Sequence, residues 1–331
     1  MKIALVHDHL AQDGGAEQVL RVFTEMFPEA PIFTLVFDKR NANPYFKTQN
    51  IKTSFLQKIP LGVRKYQWWL SLMPSAIENY DLNEYDLVIS SSSSFAKGVI
   101  TKPGSIHLCY CYTPTRFLWL DSQNYIRDLK VNPLVKSILP LTLNKLRTWD
   151  RLAAERVDKF VSISQAVKER VKKYYNRDSL MIYPPVDVNK FSISDSPKEY
   201  FLIGARLVPY KRVDLAVKAF VRLGIPLKVF GIGSELSYLK KMAQGKKNIE
   251  FLGKISEKEK INLFSNCLAF IPPQEEDFGI AAIEAMASGR PVIAYNAGGA
   301  LETIKEGETG EFFDEQSWED LADKIIRFKP E

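Results

Sequence analysis

The stretch Pro272 to Ala300, PPQEEDFGIAAIEAMASGRPVIAYNAGGA, limits what this chain can fold into more than any other. An apolar run, Cys267 to Ile271, enters it as the end of a buried strand. A loop carrying carboxylates follows, and Gly279 to Ser288 reads as a short helix. Gly289 closes that helix and Pro291 starts the next strand, the usual stop signals. Strand, loop and helix N-terminus in this order are the parts of an open α/β sheet that receive an anionic ligand, at the carboxyl end of a strand. The helix opens Gly279-Ile280-Ala281-Ala282, so bare backbone N–H groups face the loop with little side chain in front of them.

Two acids stand out. Glu276 lies on the loop and Glu284 about one and a half turns into the helix, a Glu-x7-Glu spacing. Positions eight apart do not share one helical face, but Glu276 precedes the helix, so both can line one site. Carboxylates accept hydrogen bonds from hydroxyl groups, and bonds to a charged group contribute roughly 1.5–3 kcal/mol. A helix end for phosphate with acids for hydroxyls describes a sugar-nucleotide site. Taken alone, the spacing equally fits a solvated acid cluster with Glu284 exposed.

The full run EDFGIAAIEAMASGRPVIAYNAGG resembles the Glu-x7-Glu signature of retaining glycosyltransferases of family 4. The resemblance extends over nearly the whole chain and is strongest to bacterial GDP-mannose-type mannosyltransferases. It implies the GT-B fold, two doubly wound Rossmann-like α/β domains facing a cleft. It also implies a sugar-nucleotide donor as substrate, a glycan or lipid-linked acceptor, and cell-surface polysaccharide synthesis.

The other motifs bear on that resemblance in chain order. Lys2 to His7 reads as a buried strand, followed by Asp13-Gly14-Gly15-Ala16 and a helix to Phe27. Without a full GxGxxG, a hydride-transfer cofactor has little support. The resemblance brings this turn to the donor's phosphate with Gly15 as the matching position, and a purely structural turn fits as well. Tyr85–Ser90 and Ser105–Tyr110 read as strands, with Ser90–Ser94 a loop between them. In YCYTPTRFLWLD, residues Cys111, Thr113, Pro114, Arg116 and Trp119 match the family pattern, but Tyr112 stands where a histidine is expected. The resemblance places Tyr112 and Arg116 on the acceptor side, Tyr112 near the reacting carbon. A tyrosine can hydrogen-bond there but cannot carry an imidazolium's charge near neutral pH. His7, His9 and His107 read as packed or surface residues. Leu134 to Val157 reads as helix broken at Pro140, then Lys159–Ser164 as strand and Gln165–Tyr175 as helix. Tyr183-Pro184-Pro185-Val186-Asp187 can continue neither element and marks the linker. The expected domains are therefore 1–183, on the acceptor side, and 184–331, which holds the donor.

The second half alternates strands (Tyr200–Gly204, Leu227–Phe230, Ile249–Leu252, Leu268–Ile271, Val292–Tyr295) with helices, the pattern of a parallel sheet covered on both faces. In GARLVPYKRVD, Arg206 and Lys211 match the family's diphosphate-binding pair, and Gly231 matches its base-packing turn. Cations fixed where a diphosphate leaves stabilise the charge that grows as the glycosidic bond breaks. The resemblance puts Glu284 on the ribose, and Glu276 with the Phe278, Gly279 and Ile280 backbone on the sugar. Glu276, Arg206, Lys211 and Tyr112 form the expected catalytic group. No metal is expected, because no Asp-x-Asp motif has a convincing counterpart and Arg and Lys can neutralise the diphosphate. Family members commonly continue by another helix or two beyond the point corresponding to Glu331, which implies a trimmed version or a short interdomain clasp.

Composition is that of a globular protein, with 46% hydrophobic and 25% charged residues. Cys109, Cys111 and Cys267 are too few for a disulfide framework and read as buried thiols. The start MKIALVHD lacks the long apolar core of a signal peptide, and no stretch reaches the eighteen or so apolar residues of a membrane span. The cytoplasm is the expected compartment. From Lys39 to Ile77 there is no acid, while Lys39, Arg40, Lys47, Lys52, Lys58, Arg64 and Lys65 add seven positive charges, more than the +6 of the whole chain. Nothing here resembles a nucleic-acid module, so residues 39–77 suit an anionic substrate or the inner surface of an anionic membrane. Leu61 to Leu72, with Trp68 and Trp69, reads either as an interfacial helix or as a surface helix packed on its domain. Two other functions fit the same residues: a sugar-nucleotide epimerase on this fold, and a non-catalytic sugar-nucleotide-binding protein.

Overall fold

The structure is a computed structural model that describes residues 1–129 and 132–329; positions 330 and 331 of the expected second domain lie outside the described residues. The chain divides into two compact units, Met1–Pro185 and Val186–Glu331.

The first unit carries a seven-stranded parallel sheet: β1 (Ile3–His7), β2 (Ile32–Thr34), β3 (Ile51–Thr53), β4 (Leu87–Ser92), β5 (Ile106–Cys111), β6 (Lys159–Ser162) and β7 (Ser179–Met181). Their order is β3-β2-β1-β4-β5-β6-β7. The chain builds outward from β1 on one side, then returns to build outward on the other. The helices are α1 (Gly15–Met26), α2 (Met73–Glu78), α3 (Arg116–Trp119), α4 (Ser122–Asp128), α5 (Pro133–Glu155) and α6 (Gln165–Tyr175). Apolar residues alternate to both faces, giving one cluster around Val6, Phe33 and Leu146 and another around Leu5, Leu20 and Phe46.

The second unit repeats the plan with β8 (Phe201–Gly204), β9 (Leu227–Phe230), β10 (Ile249–Gly253), β11 (Val292–Tyr295) and β12 (Gly310–Phe313). Its helices are α7 (Val213–Leu223), α8 (Leu236–Met242), α9 (Glu257–Asn266), α10 (Ile280–Ala287), α11 (Ala300–Thr303) and α12 (Trp318–Arg327). Two ladders, β10-β9-β8 and β11-β12, are joined through Phe270, which bridges Leu202 on one side and Val292 on the other. Ile271 N–H donates to Leu202 O at 2.9 Å, and Phe270 N–H to Pro291 O at 3.0 Å. Pro272 and Pro273 have no N–H to continue either ladder, so the expected strand Leu268–Ile271 is reduced to this single bridging residue.

Three expectations need correction, and two strands were not anticipated. Ser90–Ser92 are not loop: they end β4, all three buried. α5 runs unbroken through Pro140, whose exposed position lets water satisfy the carbonyl that the ring frees. Leu61–Leu72 is not an amphipathic α-helix; only Tyr66–Leu72 winds, as a 3₁₀ turn kinked at Trp69. Trp68 is 67% exposed while Trp69 packs on the core. Finally, β7 and β12 carry no sequence signal strong enough to stand out, each being three or four residues long.

His107 tests how the first sheet is built. It is fully buried on β5, its Nε2 2.8 Å from Ser90 Oγ, and burial pushes its imidazole down to about 4. Unfolded, it titrates near 6.5. The unfolded chain therefore takes the proton first, and stability falls as pH drops from about 6.5 to about 4, by roughly 3 kcal/mol in all, with no further loss below. Urea denaturation of wild type and His107→Gln between pH 7 and 4.5 should show a flatter pH dependence in the variant. Parallel slopes would refute this account of His107.

Candidate functional site

In the second unit the backbone fixes the loop before any side chain does. Glu276 bridges Gly298, and Gly299 N–H donates to Glu276 O at 2.8 Å. A Cβ on Gly298 would stand 2.3 Å from Glu276 O, and one on Gly299 2.5 Å from Phe278 Cα, so the loop can lie here only against two glycines. Phe278 is buried beneath it, and Gly279, at φ +96°, turns the chain into α10.

This places the Glu276 carboxylate against Lys211, whose Nζ donates to both oxygens at 3.1 Å. Burial works against the Lys211 charge, but the Glu276 carboxylate outweighs it and the lysine pKa lies above its usual value. Gln274 Nε2 donates to Glu276 Oε1 as well. Gln274 is buried, and its own Oε1 has no hydrogen-bond partner among the described residues. Sequence reasoning missed it, since a glutamine in a loop has no distinguishing pattern. Arg206 is exposed, its Nη2 donating to Tyr210 Oη at 2.9 Å; the Tyr210 ring also lies 5.5 Å from Lys211 Nζ. Arg206, Tyr210, Lys211 and Glu276 are thus one connected set.

Glu284 stands apart from it. It is buried on α10 and accepts from Lys260 Nζ of α9 at 2.8 Å, and Lys260 also reaches Glu257 at 3.2 Å. Burial raises the Glu284 carboxyl and Lys260 only partly offsets this. For Lys260, burial is outweighed by Glu284 and the ammonium stays charged. Gly231, at φ +122°, is required by its own packing: a Cβ there would meet Ala205 O at 1.8 Å. Ile280 opens α10 as expected.

In the first unit, Gly15 begins α1 behind Gly14, whose N–H donates to Glu17 Oε2 at 2.9 Å. Tyr112 is buried just past β5, its hydroxyl donating to Ala16 O at 3.0 Å and lying 2.8 Å from Ser91 Oγ. Arg116 pairs with Asp121 at 3.3 Å. Behind them lies a network the sequence reading did not anticipate. Asp150 is 1% exposed; Oδ1 accepts from Lys97 Nζ at 2.5 Å and Thr115 Oγ1 at 2.7 Å, Oδ2 from Trp119 Nε1 at 2.8 Å and Tyr175 Oη at 2.7 Å. Trp119 therefore anchors the loop after β5. Among the described residues no group of three or more His, Cys, Asp or Glu stands together as a metal site. Cys109, Cys111 and Cys267 are free and buried; Cys109 and Cys111, two apart on β5, share a face.

Residues 187–330 match the family described as glycosyl transferases group 1. The second unit is a glycosyl transferases group 1 domain. Relatives of the chain include the alpha-1,3/1,6-mannosyltransferase ALG2 of Dictyostelium discoideum, 25% identical over 280 residues, covering 70% of this chain and 63% of ALG2. The O-antigen chain mannosyltransferase RfbU of Salmonella typhimurium is 28% identical over 196 residues, 54% of this chain and 56% of RfbU. The chain thus spans little more than half the length of the curated relatives it matches. Among solved structures, Anabaena Alr3699/HepE in complex with UDP superimposes with a TM-score of 0.70 at 18% identity, over 98% of this chain and 89% of that one. The fold is GT-B.

In the group 1 domain the Lys260–Glu284 pair has a measurable consequence. Lys260→Met leaves a buried carboxylate without its cation and should destabilise the domain by roughly 3 kcal/mol. Adding Glu284→Gln should recover a large part of that loss, which denaturant unfolding of the single and double variants reads as a coupling energy. Additive losses would mean the two side chains do not depend on each other.

Proposed function

We propose that the chain is a retaining glycosyltransferase that moves a hexose, mannose from GDP-mannose, to a glycan or lipid-linked acceptor in cell-surface polysaccharide synthesis. The observation that carries this is the connected set Arg206–Tyr210–Lys211–Glu276 on a group 1 domain. Mannose is favoured by the mannosyltransferases among the relatives. Arg206 and Lys211 take the diphosphate, Glu276 with the Phe278–Ile280 backbone takes the sugar, and Glu284 takes the ribose. Lys211 arrives already bound to Glu276, so one ammonium links the sugar-facing acid to the leaving phosphate. Stabilising that leaving group needs cations placed before the bond breaks, which is where electrostatic catalysis draws its strength. Front-face attack by the acceptor hydroxyl, its proton passing to the leaving phosphate, gives retention without a protein nucleophile. Gly15 approaches the donor phosphate, and Arg116 lies on the acceptor side.

Arg206 is the cleaner probe, because it is exposed, whereas Lys211 is bonded to Glu276. Arg206→Ala should weaken GDP binding in calorimetry about ten- to a hundredfold. UDP serves as the comparison, since HepE binds it. Unchanged GDP affinity removes Arg206 from the diphosphate site, and tighter UDP than GDP overturns the donor. Mass analysis of products separates transfer from epimerisation, which yields isomerised sugar with donor alone, and from binding without turnover.

We also infer that the basic segment 39–77, in which Arg40 lies 3.9 Å from Asp38 and Lys52 4.0 Å from Glu84, docks on an anionic membrane from the cytoplasmic side. All seven of its cations are exposed, as are Phe55, Leu61, Trp68 and Leu72 among them, with Lys65 Nζ 3.8 Å from the Trp68 ring. Val135, Ile138 and Leu141 add exposed apolar groups along α5. No helix among the described residues is long and apolar enough to cross a membrane. Each Lys or Arg near an anionic surface contributes about 1 kcal/mol, so binding should be reversible. Sedimentation with phosphatidylserine vesicles should carry the protein down at low salt, fail at high salt, and weaken with Trp68→Ala or Arg64→Glu/Lys65→Glu. A protein that stays in the supernatant at low salt ends the membrane reading.

A further inference from the structure

Tyr112 reaches further than its contact with α1. Its hydroxyl lies against Ala16 O and Ser91 Oγ; Ser91 Oγ is 3.0 Å from His7 Nδ1; and His7 Nε2 is 3.7 Å from Glu17 Oε1. All four side chains are buried, Ser91 and Glu17 at 1% exposure, and they come from β1, β4, the end of β5 and the first turn of α1. The donors have a fixed order. A carbonyl only accepts, so the one phenolic proton goes to Ala16; Ser91 then donates to the Tyr112 oxygen and His7 Nδ1–H to Ser91. That order ends at His7: its Nε2 lies 3.7 Å from Glu17 Oε1, beyond hydrogen-bond reach, and Oε1 has no hydrogen-bond partner among the described residues. Glu17 Oε2 meanwhile holds the Gly14 N–H. The bonded chain therefore runs from Ala16 to His7, which packs against the acid that holds the Gly14 N–H.

We propose that Tyr112, Ser91 and His7 are one positioning relay that, beside the Glu17–Gly14 bond, fixes the glycine turn Gly14–Gly15 for the donor, so that Tyr112 acts through the Ala16 carbonyl and not on the substrate. Its role toward the donor rests on the function proposed above, whereas the relay rests only on these contacts. A tyrosine suits this position because its hydroxyl extends past the reach of an imidazole to a backbone carbonyl. The side chain is then a strut. His7 is a positioning residue in the same sense, and Glu17 holds the segment that Gly15 belongs to through the Gly14 N–H.

The test uses the full chain and Tyr112→Phe, which keeps the ring and removes only the hydroxyl. Amide hydrogen exchange should quicken about tenfold at Gly14 and Gln18, the loss expected for one buried hydrogen bond, with exchange in β6 and β9 unchanged. In turnover, the donor KM should rise about tenfold while kcat stays within about threefold, the pattern of lost binding that is common to ground and transition states. Ser91→Ala should act in the same direction, and the double variant should be no worse than Tyr112→Phe alone, because both break one chain of bonds. Unchanged exchange at Gly14 and Gln18, or effects of the two substitutions that simply add, would overturn the relay. So would a fall of about a hundredfold in kcat at unchanged KM, which would put the hydroxyl on the reacting sugar. Quickened exchange in a protein whose wild type turns over no nucleotide sugar upholds the relay and sinks the donor assignment instead. Quickened exchange with an unchanged donor KM overturns the role in donor recognition.

Discussion

Each sheet reverses its strand order once, and that reversal decides where the chemistry can be. Where two neighbouring parallel strands send their chains to opposite faces, their carboxyl ends leave a crevice that no connection crosses. In the first unit the reversal lies between β1 and β4, and the residues at those ends are His7, Asp8 and Ser91. In the second it lies between β8 and Phe270, and the chain leaving those ends carries Arg206 on one side and Glu276 on the other. Every residue of the Arg206–Tyr210–Lys211–Glu276 set comes from these two loops. Backbone geometry holds them: Pro272 and Pro273 end the ladder, and Gly298 with Gly299 gives the loop its bed. Side-chain chemistry is placed on a scaffold that main-chain constraints have already settled.

Charge is then handled in pairs. Lys211 with Glu276 and Lys260 with Glu284 are each a cation from one element held by an acid from another. A free ammonium on a loop samples many positions, and ordering it on binding takes away part of the affinity gained. A lysine already held by a carboxylate has lost that freedom before any ligand arrives. The carboxylate does not cancel the benefit, because Glu276 Oε2 and the Glu284 oxygens retain a further lone pair for a hydroxyl.

Much of this was legible in the sequence, and the exceptions have identifiable causes. Glycines at turns, prolines at ladder ends and the apolar period placed β1, α1, α10 and most of the second sheet to within a few residues. The acids and cations of the second unit were legible because the motif gives their order along the chain. The Ser90–Ser92 error came from treating serine as a loop former. In β4, the central strand, two of those hydroxyls meet His107 and Tyr112 inside the core at its carboxyl end. Asp150 had a signal that was not used: it keeps the helical phase of buried Leu143, Leu146 and Ala153, so its side chain had to enter the core. Glu17 has the same property relative to Leu20 and Thr24. A charged residue in phase with a buried face has to find partners inside. What no single-chain pattern reveals is the identity of those partners, Lys97 for one and His7 for the other.

Those buried partners have a common physical meaning. Taking Lys97 and Asp150 out of water carries a desolvation penalty of several kcal/mol per ion, and hydrophobic residues of equal volume would often be as stable. What an apolar filling cannot provide is direction. Asp150 accepts four bonds, from the loops after β4 and β5 and from α6, each at a defined angle. Asp8 does the same at the end of β1, accepting from the backbone N–H groups of Ser93, Ser94 and Ala96. Leucine at either position would leave these donors without their acceptor, whereas a network with every bond filled makes any shift break several at once. Both acids sit beneath the same sheet end that carries Tyr112 and Gly15. The polar core of the first unit therefore trades stability for fixed loop positions at the carboxyl end of its sheet.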